Sequence, residues 1–112
     1  MKTHQDEQRQ VWIGLATVHQ RPGAGVLMDR NDAFVNVLAL ASTQDEFTDV
    51  VRDDLAQLGF DLVELEDTER LSERRESFTI PEEINRLAEL TLATAKTQFD
   101  AFHTWASGDE TA

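Results

Sequence analysis

The sequence AFVNVLALA at residues 33–41 decides the fold of this chain, because it contains no charged residue and only one polar one. Its β-branched and aromatic side chains favour a strand, and its near-continuous apolar character is typical of a strand covered on both faces or nearly so. The polar residue is Asn36, which needs hydrogen-bond partners if it is buried. We therefore expect a central strand in which Asn36 bonds within the sheet or faces a wet edge.

Two further strands are predicted on either side of this stretch. The run VWIGLATV at residues 11–18 has the same apolar and β-branched character. A connection rich in turn residues, from Gln20 to Asp32, joins the two apolar runs. The segment Phe60–Asp67 alternates apolar and acidic residues, a pattern typical of a strand near the edge of a sheet.

Two amphipathic helices are predicted in the second half of the chain. In the first, Thr43 with Glu46 three residues later fits a capping box, and Gly59 is placed to end the helix in a left-handed conformation. The second begins at Pro81, a residue favoured in the first turn of helices. Apolar residues at three- and four-residue spacing mark the two buried stripes: Phe47, Val50, Val51, Leu55 and Leu58 in the first helix, and Ile84, Leu87, Ala88, Thr91, Leu92 and Ala95 in the second.

Three segments are compatible with more than one structure. Thr68–Glu76 is highly charged and fits a loop or a frayed helical turn, and Ser77–Ile80 fits a short strand. Gln98–Trp105 fits a strand or a continuation of the second helix, and its three aromatic residues favour the strand. Regular alternation would place on one side of that strand Phe99, Ala101, His103 and Trp105.

In chain order these elements predict an α+β domain. We expect a two-layer sandwich in which a four- or five-stranded, mostly antiparallel sheet carries two helices on one face. From residue 33 onward the order reads as a ferredoxin-like βαββαβ core, with the run at 11–18 as an additional N-terminal strand. The single domain is expected to span residues 11–106, between flexible tails at residues 1–10 and 107–112.

The net charge restricts the partners of this protein. The chain has 22 Asp and Glu against 10 Lys and Arg, a formal net charge of −12 on 112 residues. Such a surface repels nucleic acids and anionic membranes and favours cationic partners, although acidity of this kind also suits a salt-rich environment. The chain has no cysteine, and no apolar run approaches the roughly 20 residues of a membrane span. We expect a soluble, cytoplasmic protein.

No motif in the sequence assigns a catalytic residue, a cofactor or a metal. The three histidines lack metal-ligand spacing, the serines lie in no GxSxG context, and the glycines form no phosphate-binding loop. Arg70, Arg74 and Arg75 are the one concentration of basic residues, but they alternate with glutamates, which favours local ion pairing. These observations favour a non-enzymatic protein over an enzyme.

Two groups of residues are candidates for a functional site. The first is an interaction surface made of an acidic cluster and two tryptophans: Glu64, Glu66, Asp67, Glu69, Trp12 and Trp105. The acids also fit a solvated strand face, and each tryptophan fits a core position as well as an interface. The second is a pocket lined by His103, Trp105 and Asn36, in which an imidazole would be available as a base. A histidine that only bonds locally is the alternative for His103.

The sequence therefore predicts a small acidic interaction or regulatory protein, similar only in composition to immunity proteins and inhibitors. Its partner would be a protein with a basic surface, or a second copy of the chain in a homodimer. The alternative is a small α+β enzyme or small-molecule-binding domain with a pocket near His103 and Trp105.

Overall fold

The computed structural model describes residues 9–22 and 32–103. Within these ranges the elements are β1 (Gln10–Gln20), β2 (Asp32–Ala41), α1 (Gln44–Gln57), β3 (Phe60–Arg70), α2 (Leu71–Ser77), α3 (Glu82–Thr94) and β4 (Gln98–Phe99). The four strands form one antiparallel sheet in the order β3-β1-β2-β4. The predicted α+β class and the antiparallel sheet are confirmed. None of the helices in the described ranges is long and apolar enough to cross a membrane.

The two apolar runs form the central strands β1 and β2. They pair without any shift from Gln10 opposite Ala41 to His19 opposite Asp32. Because side chains alternate between the two faces of a strand, this unbroken register fixes the face of every residue in both strands. The run at 11–18 is thus an interior strand between β2 and β3, rather than an addition in front of a complete ferredoxin-like core.

Helix α1 covers the first face of the sheet. Its residues Phe47, Val51 and Leu55 are fully buried against alternate residues of β1 and β2. The predicted capping is confirmed: the Thr43 hydroxyl accepts a hydrogen bond from the Glu46 backbone N–H at 3.1 Å. Gly59 follows the helix with φ of 92°, which is the left-handed conformation predicted for it.

Helices α2 and α3 lie on the second face of the sheet. Leu71 of α2 and Ile84, Leu87 and Ala88 of α3 form a separate buried cluster. Three strand residues complete the cluster, and they alternate with the residues that face α1: Val11, Ile13 and Leu38. The expectation of two helices on one face is therefore corrected, because α1 and α3 pack on opposite faces.

The second half of the described chain differs from the predicted elements in two segments. Residues 78–80 form no strand, and α2 occupies 71–77 in the segment predicted as a loop or helical turn. The segment from residue 98 pairs with β2 and is not helical, but it is irregular at Asp100, whose carboxylate accepts a hydrogen bond from the Ala101 N–H at 2.8 Å. As a result, Phe99 and Phe102 both pack on the α1 side. Trp105 lies outside the described residues.

Strand β3 is interrupted by two bulges. At the first bulge, Val63 is an extra residue with no partner on β1, because its neighbours on both sides pair with consecutive residues of β1. At the second bulge, two residues of β3, Asp67 and Thr68, lie opposite the single residue Gly14. Asp67 has a φ of 54°, a conformation that Asp tolerates better than most residues. Bulges of this kind oppose the addition of another strand to an open edge.

Replacing Gly14 should destabilise the protein more than replacing a nearby residue on the other face. An added Cβ would lie 3.0 Å from Thr68 Cγ2, 3.1 Å from Phe47 Cε2 and 3.2 Å from Leu65 Cδ1. Gly14→Val should therefore lower the free energy of unfolding by about 1–3 kcal/mol, as overpacking does. Thr17→Val is the control and should change it by less than about 0.5 kcal/mol. Equal denaturation midpoints for the two variants would contradict this packing.

Candidate functional site

The helices that the structure describes cover the second face of the sheet at only one of its ends. Helices α2 and α3 bury Val11, Ile13 and Leu38. Further along the same face, Leu15 and Thr17 are only half-buried, and no helix of the described ranges packs over them. We call this uncovered half the open face and define it by nine residues: Leu15, Thr17, His19, Phe34, Asn36, Asp61, Glu64, Glu66 and His103.

Strand pairing arranges these residues in rows across the sheet. Thr17 is opposite Glu64 on one side and Phe34 on the other, and Phe34 in turn pairs with His103. The Phe34 and His103 rings stack with their centroids 5.5 Å apart, and their backbones exchange two hydrogen bonds of 2.8 and 2.9 Å. This row therefore runs from a carboxylate on β3 to an aromatic pair at the opposite edge.

In the next row, Leu15 of β1 lies between Glu66 of β3 and Asn36 of β2. The structure thus places on one face residues of both groups predicted from the sequence: Glu64 and Glu66 of the interaction surface, and Asn36 and His103 of the pocket. Leu15, Thr17 and Phe34 were not predicted as site residues. The register of β1 against β2 is the signal that would have identified them, because it places them on the face opposite Val35 and Val37.

Glu64 and Glu66 form a pair of carboxyl groups at the β3 end of the open face. The hydrogen bond with the Glu64 carboxyl, with the negative charge of that group as the next contribution, raises the pKa of Glu66 above its ordinary value. Neither residue has an ion-pair partner among residues 9–22 and 32–103. The pair therefore carries negative charge that no described cation neutralises.

Two other acids near this edge, Asp61 and Glu69, form ion pairs with arginines. Asp61 forms an ion pair with Arg21 at 2.6 Å, and that hydrogen bond lowers the pKa of Asp61. Glu69 pairs with Arg74 at 2.6 Å, and Arg74 also donates to the backbone carbonyl of Asp67 at 2.8 Å. The ion pairing predicted for the segment TERLSERRE is thus present. Glu69 has an arginine partner, which distinguishes it from Glu64 and Glu66.

Trp12 lies in the core, and it is on the side of the sheet that faces α1. It is only 7 % exposed, its indole N–H donates to the Ala41 carbonyl at 3.0 Å, and its ring stacks on Phe47 with 6.0 Å between centroids. The Arg70 guanidinium covers the outer side of the ring at 5.3 Å. Of the two locations that the sequence allowed, the structure places Trp12 in the core, away from the open face.

Two of the three residues predicted to line a pocket, His103 and Asn36, lie on the open face. His103 is exposed and Asn36 is half-buried, whereas Trp105 lies outside the described residues. No carboxylate among residues 9–22 and 32–103 forms a hydrogen bond with the His103 ring. In the same ranges no three His, Cys, Asp or Glu side chains are placed to hold a metal ion. The described geometry therefore contains a surface rather than an enclosed catalytic site.

Comparison with protein-family models, with curated proteins and with solved structures finds no match.

The contact between Glu64 and Glu66 predicts a coupled change in acidity. In Glu64→Gln the pKa of Glu66 should fall toward its ordinary value, because the neighbouring negative charge is gone. A carboxyl whose pKa is raised on folding loses stability as pH rises through that pKa. The variant should thus be more stable than the wild type near neutral pH, and the difference should vanish at acid pH.

Titration of the Glu66 side chain by NMR measures the first effect, and thermal unfolding across pH measures the second. Glu76→Gln, a change on the exposed side of α2, is the matched control and should leave the pKa of Glu66 unchanged. An unchanged pKa of Glu66 in Glu64→Gln would show that the two carboxyls are not in contact.

Proposed function

We propose that this protein is a non-enzymatic protein-binding domain whose open face binds a basic surface of a partner protein. The observation that carries the proposal is the Glu64–Glu66 pair, which lies on an uncovered sheet face and has no described cation partner. Lys and Arg side chains of a partner would supply the missing positive charge. They would also relieve the repulsion between the two carboxylates.

The composition of the open face supports binding of a protein rather than of a small molecule. Its centre holds Leu15, Thr17 and Phe34, which are half-buried and form a shallow surface between the acidic edge and the Phe34–His103 stack. Protein interfaces combine such an apolar and aromatic centre with a charged rim. A partner would therefore gain contact area at the centre and charge complementarity at the β3 edge.

The net charge of the whole chain supports the same partner. A protein with a formal net charge of −12 accelerates its association with a cationic partner and slows its association with an anionic one, and both effects weaken as salt is added. The same repulsion makes a second copy of the chain a weaker occupant of the open face than a basic protein. A homodimer nevertheless stays a prediction, as does a cytoplasmic location.

The enzyme or small-molecule alternative has less support. A general base needs an orienting partner and a substrate pocket, and among the described residues His103 stacks on Phe34 without a hydrogen-bonded carboxylate. This alternative stays a prediction that depends on residues beyond His103.

Affinity capture with charge-neutralised variants tests the proposal. The wild type, Glu64→Gln/Glu66→Gln and the control Asp53→Asn/Glu76→Gln would be immobilised, and bound proteins would be identified at about 10 mM and about 1 M salt, where screening lengths are roughly 30 and 3 Å. The control removes the same charge from exposed positions on α1 and α2 that have no described ion pair. This control distinguishes a loss of binding caused by the open face from a loss caused by the change in net charge.

We expect a basic protein that binds the wild type and the control at low salt and is lost at high salt. The open-face variant should bind that purified protein about five- to tenfold more weakly, since each exposed ion pair contributes up to about 1 kcal/mol. Equal binding by both variants would overturn the role of the open face. No salt-sensitive partner, together with no self-association, would overturn the proposed function.

A further inference from the structure

Among residues 9–22 and 32–103, no strand lies beside the edge of β2 beyond the point where β4 begins. β4 pairs with β2 only at Val37 and Leu38, and beyond Leu38 no described strand continues this ladder. On β2 the backbone N–H and C=O groups of every second residue point to this edge. The backbone of Phe34 bonds there to the backbone of His103, and the Asn36 carbonyl accepts a hydrogen bond from the Asp100 N–H at 2.9 Å. Because β2 keeps one register along its whole length, the N–H and C=O of Leu40 point to the same edge. They have no partner among the described residues.

A cleft of about 540 Å³ lies at this unpaired edge. Its apolar lining comes from Leu40, from Val50 and Leu58 of α1, and from Phe99. The cleft exists because α3 ends at Ala95 with a left-handed φ of 59°, and the following residues do not pair with β2 before Gln98. A hydrogen-bond donor and acceptor are therefore exposed at the side of a cleft whose lining is part polar and part apolar.

Three charged residues of the described chain line this cleft: Arg9, Asp54 and Lys96. Arg9 is already bound to Glu46 at 2.6 Å. The Lys96 ammonium has no ion-pair partner among the described residues, and Lys96 lies two residues before β4, near the point where the ladder stops. An anionic group of a ligand would therefore be held best at the β4 end of the cleft.

We propose that this cleft binds the carboxyl-terminal residues of an extended peptide, which adds to the edge of β2 in line with β4. The peptide residue opposite Leu40 would exchange two backbone hydrogen bonds with it, as in other cases of strand addition. β4 occupies the next positions, so the added strand must end there. In the antiparallel direction its carboxyl end falls beside Lys96, whereas a parallel peptide would bring its ammonium group to the same lysine.

The side chain of the last peptide residue would be apolar, because Leu58 and Phe99 form the adjoining walls. Leu58 is 44 % exposed, so a bound side chain would cover apolar surface that is now open to water. The opposite edge of the sheet is unsuited to the same ligand. Strand β3 has two bulges and carries Glu64 and Glu66, which would repel a terminal carboxylate.

Peptide binding to the whole chain tests this site. The probe is a pentapeptide, Gly-Gly-Thr-Val-Leu, with a fluorophore at its amino end and a free carboxyl terminus, and its carboxyl-terminal amide is the comparison. We expect the acid to bind at least about tenfold more tightly than the amide, as measured by fluorescence anisotropy. Binding should also slow exchange of the Leu40 amide hydrogen, which would become hydrogen-bonded.

Variants assign the binding to the cleft. Lys96→Met should weaken binding of the acid peptide about tenfold and leave the amide unchanged, whereas Lys96→Arg should retain binding. Arg52→Met is the matched control, because it removes one exposed cation from α1 outside the cleft. Asp54→Asn should tighten binding of the acid peptide by removing a like charge.

Several results would contradict the proposal that the cleft binds a peptide carboxyl terminus. These are equal affinities for the acid and the amide, equal effects of Lys96→Met and Arg52→Met, or no binding of the acid at about 1 mM, the limit of a weak specific complex. The site is independent of the open face, so Glu64→Gln/Glu66→Gln should bind the acid peptide as the wild type does.

Discussion

The unshifted pairing of β1 with β2 is the constraint on which the rest of the structure depends. These strands stay in one register from Gln10 opposite Ala41 to His19 opposite Asp32, so the face of each side chain follows from its position alone. One set of alternate residues meets Phe47, Val51 and Leu55 of α1. The other set meets the helices of the second face at one end, whereas no described helix covers it at the other end. A slip of one residue would exchange these two environments and is therefore strongly disfavoured.

The two faces are covered unequally, and both proposed binding sites follow from that. α1 has 14 residues and contributes fully buried side chains along its length, whereas α2 is short and α3 packs around Leu38 and the start of β1. The remainder of the second face carries polar, acidic and aromatic side chains. At the edge of β2, the early end of α3 and the two-residue β4 leave the edge-facing N–H and C=O of Leu40 without a partner in the part of the chain that the structure describes. One site thus uses side chains on a face, and the other uses backbone groups at an edge.

Local signals in the sequence predicted local structure well. Thr43, Glu46 and Gly59 define the limits of α1 through hydrogen bonds and a left-handed residue within a few positions. The face on which each helix packs could not be predicted in this way, because β2 is apolar on both sides: Val35 and Val37 alternate with Leu38 and Leu40. The same ambiguity hid Phe34 and Leu15. The acidic cluster was visible in the sequence, but only the fold shows that Arg74 engages Glu69 and leaves Glu64 paired with Glu66.

Unequal coverage of the second face is tested most directly by solvent relaxation. A neutral gadolinium chelate enhances the NMR relaxation of nuclei that water can reach, and it does so without favouring acidic or basic surfaces. The Thr17 methyl and the Asn36 side-chain amide should relax strongly, while the methyls of Ile13 and Leu38, on the same strands and the same face, should not. Equal protection of all four groups would contradict the open face.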